Sequence, residues 1–412
     1  MPVLVVGDAV VPSGFARVLH SILGQLRDRY EFHHLGVNYN GEPHQLGWEV
    51  YPAGTPGDPF GAPRIKELLE KVRPRLVFML NDLWVLSNYM APLTEAAGRL
   101  EPFKIVAYSP VDAGPLEPEL LERLRGVDRL VAYTHFGKRE MEKALRSPEP
   151  RVGRCGAEIA VIPHGVDTNL FFPLARELGD GERAATSRAR ARKTLFTDPE
   201  LFDAWIVLNA NRNQPRKRID ITMKGFTLFA RDKPKRVRLY LHMGIEDCGW
   251  NVVALARRYG IEDRLIITAE ERFLPAVSDE MLNCIYNACD VGINTSLGEG
   301  WGLVSLEHAA TGAAQVVPRH SACEELWTGA AALLEPAMSL TVERILTEGQ
   351  IVAPEEVARR LEELYQSPAL LRQLSAAAYA VATRPAYSWS QVAGQWHQLF
   401  QQVMAERVFT PA

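Results

Sequence analysis

The feature that most constrains this 412-residue chain is a repeating rhythm. Short unbroken apolar runs stop at small or polar residues, and stretches of helical periodicity follow them. Val3 to Val6 stops at Gly7, a Pro-Ser-Gly turn follows at Pro12 to Gly14, and Ala16 to Leu26 sets Val18, Leu19, Ile22, Leu23 and Leu26 on one helical face. Leu76 to Leu80, Ile105 to Tyr108, Arg129 to Tyr133 and Ile159 to Ile162 read as further strands. Helices such as Pro63 to Val72 and Glu117 to Leu124 lie between them. A strand that is apolar on both faces must be covered on both faces, so the pattern predicts an α/β fold with a parallel sheet between helical layers.

The rhythm pauses after Pro173. Ala175 to Lys193 is polar, with no strand-like run, and reads as a connection over 174–196 leading into a surface helix. Strands then resume at Trp205 to Asn209, Val237 to Met243, Leu265 to Thr268, Val291 to Asn294 and Ala314 to Val317. Helices are expected at Ile219 to Phe229, Val252 to Tyr259, Asp279 to Ala288, Leu303 to Gly312 and Pro354 to Tyr365. The sequence therefore predicts two doubly wound, Rossmann-like domains, 1–173 and 197–385, facing each other across a cleft. Ligands of such sheets bind beyond the carboxyl ends of the strands. A last amphipathic helix carries Trp389, Val392, Trp396, Leu399, Phe400 and Val403.

Composition removes several classes of function. The formal net charge is −4, which gives no general basic field for nucleic acid. No apolar run is long enough to span a bilayer, and the N-terminal run lacks a preceding Lys or Arg and is broken by Gly7 and Asp8, a poor secretory signal. The five cysteines form no C-x-x-C pair, so they read as thiols in a reducing, cytoplasmic compartment, and no His/Cys cluster has zinc-ligand spacing.

Two loops in the second half carry chemistry. Ala210 to Asp220, ANRNQPRKRID, follows a strand and opens a helix, and it can aim Arg212 and Lys217 at one anionic group. A diphosphate is such a group, while much of the surrounding basic stretch is simple surface. Ser296 to Gly312, SLGEGWGLVSLEHAATG, runs from a strand into a helix. Gly298, Gly300 and Gly302 let backbone approach a ligand, and the N–H groups near Gly302, Leu303 and Val304 stand at the helix start. Glu299 in the loop and Glu307 one turn into the helix can flank one pocket and accept hydroxyl hydrogen bonds. Because Leu303, Leu306 and Ala310 bury that helix, Glu307 needs a partner.

These motifs resemble the family 4 glycosyltransferases of the GT-B fold. The matching features are the Glu-x7-Glu spacing of Glu299 and Glu307, the Arg212/Lys217 loop with Pro215 and Asp220, and the segment PHGVDTNLFFP at Pro163 to Pro173. The resemblance covers nearly the whole chain in order. It implies a GT-B architecture in which the C-terminal helix, about 386–412, returns to an acceptor-binding N-terminal domain, while 197–385 binds a nucleotide sugar. It further implies that Arg212 and Lys217 neutralise a donor diphosphate, Glu307 holds the ribose and Glu299 the donor sugar. Gly300, Gly302, Leu303 and Val304 would support sugar and phosphate, and the segment with Phe273 and Leu274 would border the base. Implied too are retention of configuration and no metal or other cofactor. No D-x-D motif occurs in the chain.

In the first half, Gly14 is expected in the first strand–helix loop and Arg17 just inside the helix, facing an acceptor or solvent. Asp112 stands in AYSPVDAG, where many relatives place a His, and is assigned to hydroxyl binding or proton transfer. His135 is expected to face the cleft. His164 reads as structural, and His308 and His320 as packing or surface residues. The expected activity is a hexosyltransferase of class EC 2.4 that moves a sugar from a nucleotide diphosphate to a saccharide, lipid-linked or other hydroxyl acceptor. A nucleotide-sugar epimerase of the same fold, or an inactive nucleotide-sugar-binding protein, is the alternative. Donor base, acceptor and oligomeric state are not legible.

Overall fold

A computed structural model describes residues 1–54, 58–146, 157–273 and 275–406. The chain forms two compact units. The first comprises Met1–Gly165, Glu343–Thr347 and Ala386–Ala412, and the second comprises Val166–Val342 and Glu348–Pro385.

The first unit is built on seven strands: β1 (Pro2–Asp8), β2 (Glu31–Val37), β3 (Glu49–Pro52), β4 (Leu76–Leu80), β5 (Lys104–Ser109), β6 (Arg129–Ala132) and β7 (Glu158–Val161). Their order is β3-β2-β1-β4-β5-β6-β7 and every pairing is parallel. Val3, Leu4, Val5 and all of β4 are wholly buried, as an unbroken apolar run in a doubly covered sheet must be. The first helix, Gly14–Leu26, begins two residues before the expected Ala16. Ser13 caps it by accepting from the Ala16 amide at 3.1 Å while donating to Asp8 at 2.6 Å. Gly14 is therefore the first helical residue, not a loop glycine.

The C-terminal helix Trp389–Ala405 packs on this unit. Trp396 and Phe400 lie against Phe78 with ring centroids 4.7 and 5.3 Å apart, and Tyr30 hydrogen-bonds His397 at 2.7 Å. Gly165 is required by this packing, since a Cβ there would stand 2.8 Å from the Trp389 ring.

The second unit contains β8 (Trp205–Asn209), β9 (Val237–Leu241), β10 (Leu265–Ile267), β11 (Val291–Ile293), β12 (Ala314–Pro318) and β13 (Ala332–Leu334). Their order is β10-β9-β8-β11-β12-β13, again all parallel. An antiparallel hairpin, β14 (Pro336–Thr341) with β15 (Glu348–Val352), follows. In this strand order the chain turns back between β8 and β11, and the crevice beyond their carboxyl ends is where ligands of such sheets bind.

The polar stretch after Pro173 belongs to this second unit as the helix Asp180–Leu195. Its anchor is Arg192, which is buried. It donates to Asp290 at 2.6 Å, to the Ala288 carbonyl at 2.9 Å and to the Phe202 carbonyl at 3.2 Å. Arg188 pairs with the other Asp290 oxygen at 3.1 Å, and the Ile206 amide of β8 also donates to Asp290.

Arg192→Ala leaves Asp290 buried with one cation fewer, and such losses cost about 3 kcal/mol or more. Arg190 is half exposed and pairs with exposed Glu177, so Arg190→Ala should cost less than about 1 kcal/mol. Urea unfolding of the two variants checks the contrast, and equal midpoints would remove Arg192 from its anchoring role.

Candidate functional site

Both chemistry-bearing loops of the second unit open at the turning point of its sheet. The first leaves β8 at Asn209, whose amide oxygen accepts from Asn211 and whose nitrogen donates to Thr222 at 3.0 Å. Asn213, fully buried, ties the loop down: it donates to the carbonyls of Gly244 (3.0 Å) and Trp250 (2.7 Å) and accepts from the Trp250 amide. Gly249 has no room for a side chain, because a Cβ there would meet the Asn213 amide oxygen at 2.1 Å. A short turn, Pro215–Lys217, then delivers Lys217 inward, and Arg218 at φ +49° starts the helix Ile219–Ala230. Arg218 is fixed by a two-pronged pair to Asp220 at 2.9 and 2.7 Å.

The second loop leaves β11 at Asn294 and reaches the helix Leu303–Ala310 through Gly302, whose φ of +90° is the left-handed region that favours glycine. The two loops are joined by backbone. The Leu297 amide donates to the Arg216 carbonyl at 2.8 Å, and the Thr295 hydroxyl reaches the carbonyls of Lys217 and Arg218. Gln350 of β15 donates to the Leu297 carbonyl at 2.7 Å.

At the centre of this frame Lys217 donates to Glu299 at 2.5 Å, and both side chains are more than nine-tenths buried. Asn294 and Ser296 donate to the same carboxylate at 3.1 and 3.3 Å. Burial alone would raise the Glu299 pKa. The charges of Lys217 and Arg216 and the hydrogen bonds from Lys217 and Asn294 outweigh it and hold the pKa at about 2. A relay supports the loop from behind. The Glu299 amide donates to Ser321 at 3.2 Å, Ser321 donates to His320 Nδ1 at 3.0 Å, and His320 Nε2 donates to the Ser296 carbonyl at 3.0 Å. Burial lowers His320 to about 4, so it is neutral and has one tautomer suited to the relay. Ser321 holds φ +46°, a strained value for a residue with a side chain.

Arg212 is the second basic residue of the site. It forms a two-pronged pair with Asp247 at 2.6 and 3.2 Å. The Asp247 carboxylate is buried, the Arg212 side chain is half exposed, and the pairing lowers the Asp247 pKa. Glu307, buried one turn into its helix, accepts from the Tyr286 hydroxyl at 3.1 Å, the partner its surroundings demand. Gly300 is buried, and Gly302, Leu303 and Val304 are partly exposed at the helix start. Phe273 is 63% exposed beside the Arg272 guanidinium, and the Arg272–Phe273 backbone lies so close to Gly244 that a Cβ there would be 2.5 Å away. Leu274 lies outside the described residues.

In the first unit, Gly14 is exposed and Arg17 partly exposed on the first turn of the helix beyond β1. Asp112 is partly exposed three residues past β5, and His135, exposed, opens the helix His135–Leu145 past β6. His164 is fully enclosed between the rings of Tyr133 (4.0 Å) and Tyr108 (5.5 Å), and burial lowers its pKa to about 3, which fits its structural reading.

Sequence reasoning passed over Asp247, Asn294, Ser296 and Tyr286, and it read His320 only as a packing or surface residue. Each meets its partner only after folding, although a polar residue directly after a strand, as at Asn294, was a usable signal. Among the described residues no group of acidic, His and Cys side chains is arranged to hold a metal ion, and no helix is long and apolar enough to cross a membrane. Of the four described cysteines, Cys284, Cys289 and Cys323 are buried and Cys248 is exposed.

No protein-family model matches the chain. Among curated proteins it is 27% identical to a D-inositol 3-phosphate glycosyltransferase of Segniliparus rotundus over 321 residues, 75% of this chain and 61% of the relative. It is 30% identical to the protein of that name from Streptomyces griseus over 288 residues, 68% of this chain and 54% of the relative. The chain thus spans between about half and three fifths of the length of these relatives. Among solved structures it resembles Anabaena HepE in complex with UDP and glucose, with a TM-score of 0.69, 18% identity and coverage of 98% and 100% of the two chains. The corresponding values for sucrose-phosphate synthase from Thermosynechococcus elongatus are 0.72, 16%, 98% and 99%. With the strand order and these solved structures in agreement, the chain has the GT-B fold, and in sequence it is similar to D-inositol 3-phosphate glycosyltransferases.

Proposed function

We propose that the protein transfers a hexosyl group from a nucleoside diphosphate sugar to a hydroxyl acceptor, retaining anomeric configuration and without a metal. The observation that carries this reading is the buried Lys217–Glu299 pair at the turning point of the second sheet, beside the glycine-led helix start at Leu303. A cation, a carboxylate and helix-start amides within one crevice match a ligand with an anion at one end and hydroxyls at the other. The relatives named for inositol phosphate glycosylation and the fold neighbour holding UDP and glucose support the same reading.

In this mechanism the departing diphosphate gains negative charge as the anomeric carbon gains oxocarbenium character. Arg212, Lys217 and the helix start meet that charge where it develops. Glu299 accepts hydrogen bonds from the donor sugar, and Glu307, already oriented by Tyr286, accepts them from the ribose. Gly300, Gly302, Leu303 and Val304 offer backbone to sugar and phosphate, and exposed Phe273 offers a face to the base. The departing phosphate oxygen takes the acceptor proton on the face it leaves, with Asp112 orienting the acceptor hydroxyl. Gly14 and Arg17, on the first turn of the helix after β1, and His135, opening the helix after β6, are assigned to the acceptor side. The free thiols of Cys248, Cys284 and Cys289 fit a cytoplasmic enzyme.

Arg212→Ala and Lys217→Ala should each lower kcat by about 10²-fold or more with UDP-glucose as donor, the scale of removing one stabiliser of developing charge. Coupled release of UDP is the measurement, and wild-type turnover in both variants would sink the assignment.

Glu299→Gln separates two roles. It releases Lys217 from its carboxylate, so UDP should bind as tightly as before or more so, while turnover of UDP-glucose falls. Calorimetry of UDP together with initial rates decides, and equal losses in both would assign Glu299 to folding alone. The same variant has a pH signature. A carboxyl held at about 2 instead of the ordinary 4.5 stabilises the fold above pH 4.5, and that stabilisation is lost as pH falls through about 2. Urea midpoints should therefore drop less between pH 5 and pH 3 in the variant than in the wild type.

A further inference from the structure

The first unit has its own turning point, between β1 and β4, and three carboxylates stand at the strand ends around it. Asp8 closes β1, Asp82 lies two residues beyond β4, and Asp112 lies three beyond β5. These strands are neighbours in the sheet, so the acids share one edge. Asp8 is held by Ser13 and by Asn38 at 3.1 Å, which keeps its carboxylate in a fixed place.

The fourth member is Tyr133, the residue after β6. Its ring is buried, standing edge-on to Tyr108 at 4.4 Å, and its hydroxyl has no hydrogen-bond partner within the described structure. Burial and, beyond Tyr108, the charges of Asp82, Asp112 and Asp8 push its pKa well above 10, so it is a neutral donor within the field of those acids. An orphaned buried hydroxyl costs free energy unless a ligand meets it.

Resting on the acceptor side proposed above, we infer that the strand-end site of Asp8, Asp82, Asp112 and Tyr133 takes an acceptor that is neutral or bears an amine and carries no phosphate. Carboxylates accept from hydroxyl or ammonium groups, and the Tyr133 hydroxyl donates to a ligand oxygen. A phosphate carries nearly two negative charges and would face like charges in a partly desolvated site. This chain would then differ in acceptor from the relatives named for inositol 3-phosphate.

The test uses the full chain with saturating UDP and calorimetric titration of matched probes: myo-inositol against its 3-phosphate, and glucosamine against its 6-phosphate. At least one unphosphorylated member should bind about 10-fold or more tightly than its phosphate. Asp82→Asn with Asp112→Asn should move that ratio toward one. Tyr133→Phe should weaken the preferred probe several-fold with the melting temperature unchanged or raised, because the variant removes an unpaired buried hydroxyl. Tighter binding of the phosphates, binding of none of the four at millimolar concentration, or unchanged affinity in Tyr133→Phe would each overturn the inference. UDP is titrated alone beforehand. Its failure to bind would count against the glycosyltransferase reading, and the probe ratios without UDP would still decide the acceptor class.

Discussion

The candidate site of the second unit is built around a buried ion pair, Lys217 with Glu299. Taking Lys217 and Glu299 out of water costs several kcal/mol per ion, and the attraction between them offsets that cost only if the geometry is good and the remaining polar atoms are satisfied. The fold meets both conditions. Asn294 and Ser296 donate to the carboxylate, and the backbone around the pair is stitched by Leu297 to Arg216 and by Thr295 to the Lys217 and Arg218 carbonyls. The loops must leave adjacent strands for this to happen, which β8 and β11 provide. A pair assembled in this way is preorganised: in the proposed reaction an incoming anion would compete for a cation already in position, and a sugar for a carboxylate whose pKa is held at about 2.

Arg212 obeys the same logic at the surface. Its partner Asp247 is buried while Arg212 itself is half exposed, so the guanidinium can turn to a ligand at little cost in packing. The two basic residues read together from the loop thus have different standing in the folded chain. Lys217 is an enclosed point charge, and Arg212 is a fork on the rim. The fork suits two oxygens of one phosphate, whereas the ammonium suits charge collecting at a single place.

What the sequence made legible follows from range. Continuous apolar strands such as Val3 to Val6 and Leu76 to Leu80 announce burial through residues that are neighbours in the chain. The strand Glu31–Val37 was missed because His33 and His34 interrupt it. Folding satisfies His34 by distant groups, with Nε2 donating to the Gly7 carbonyl at 3.1 Å and Trp48 donating to Nδ1 at 3.4 Å, and burial lowers its pKa to about 3. Similarly, Asp180–Leu195 reads as a connection because its anchor, Arg192, is charged and its partner Asp290 lies far along the chain. Motif spacing singled out Glu299, Glu307, Arg212 and Lys217 as candidates. It did not show that Lys217 and Glu299 hold each other, nor that Tyr286, Asp247, Ser296 and His320 hold them.

The enclosed histidines bear on how a proton would move. His34, His164, His242, His308 and His320 are all buried, and in each burial lowers the pKa to about 3 or 4. At neutral pH they are uncharged, and a histidine with so low a pKa is a weak base. His320 is in addition committed at both nitrogens to the relay behind Glu299. The core imidazoles therefore serve packing and orientation. The chemistry of the proposed transfer is left to groups that are charged in the folded protein, Lys217, Arg212 and the carboxylates, and to the phosphate oxygen that bond cleavage itself makes more basic.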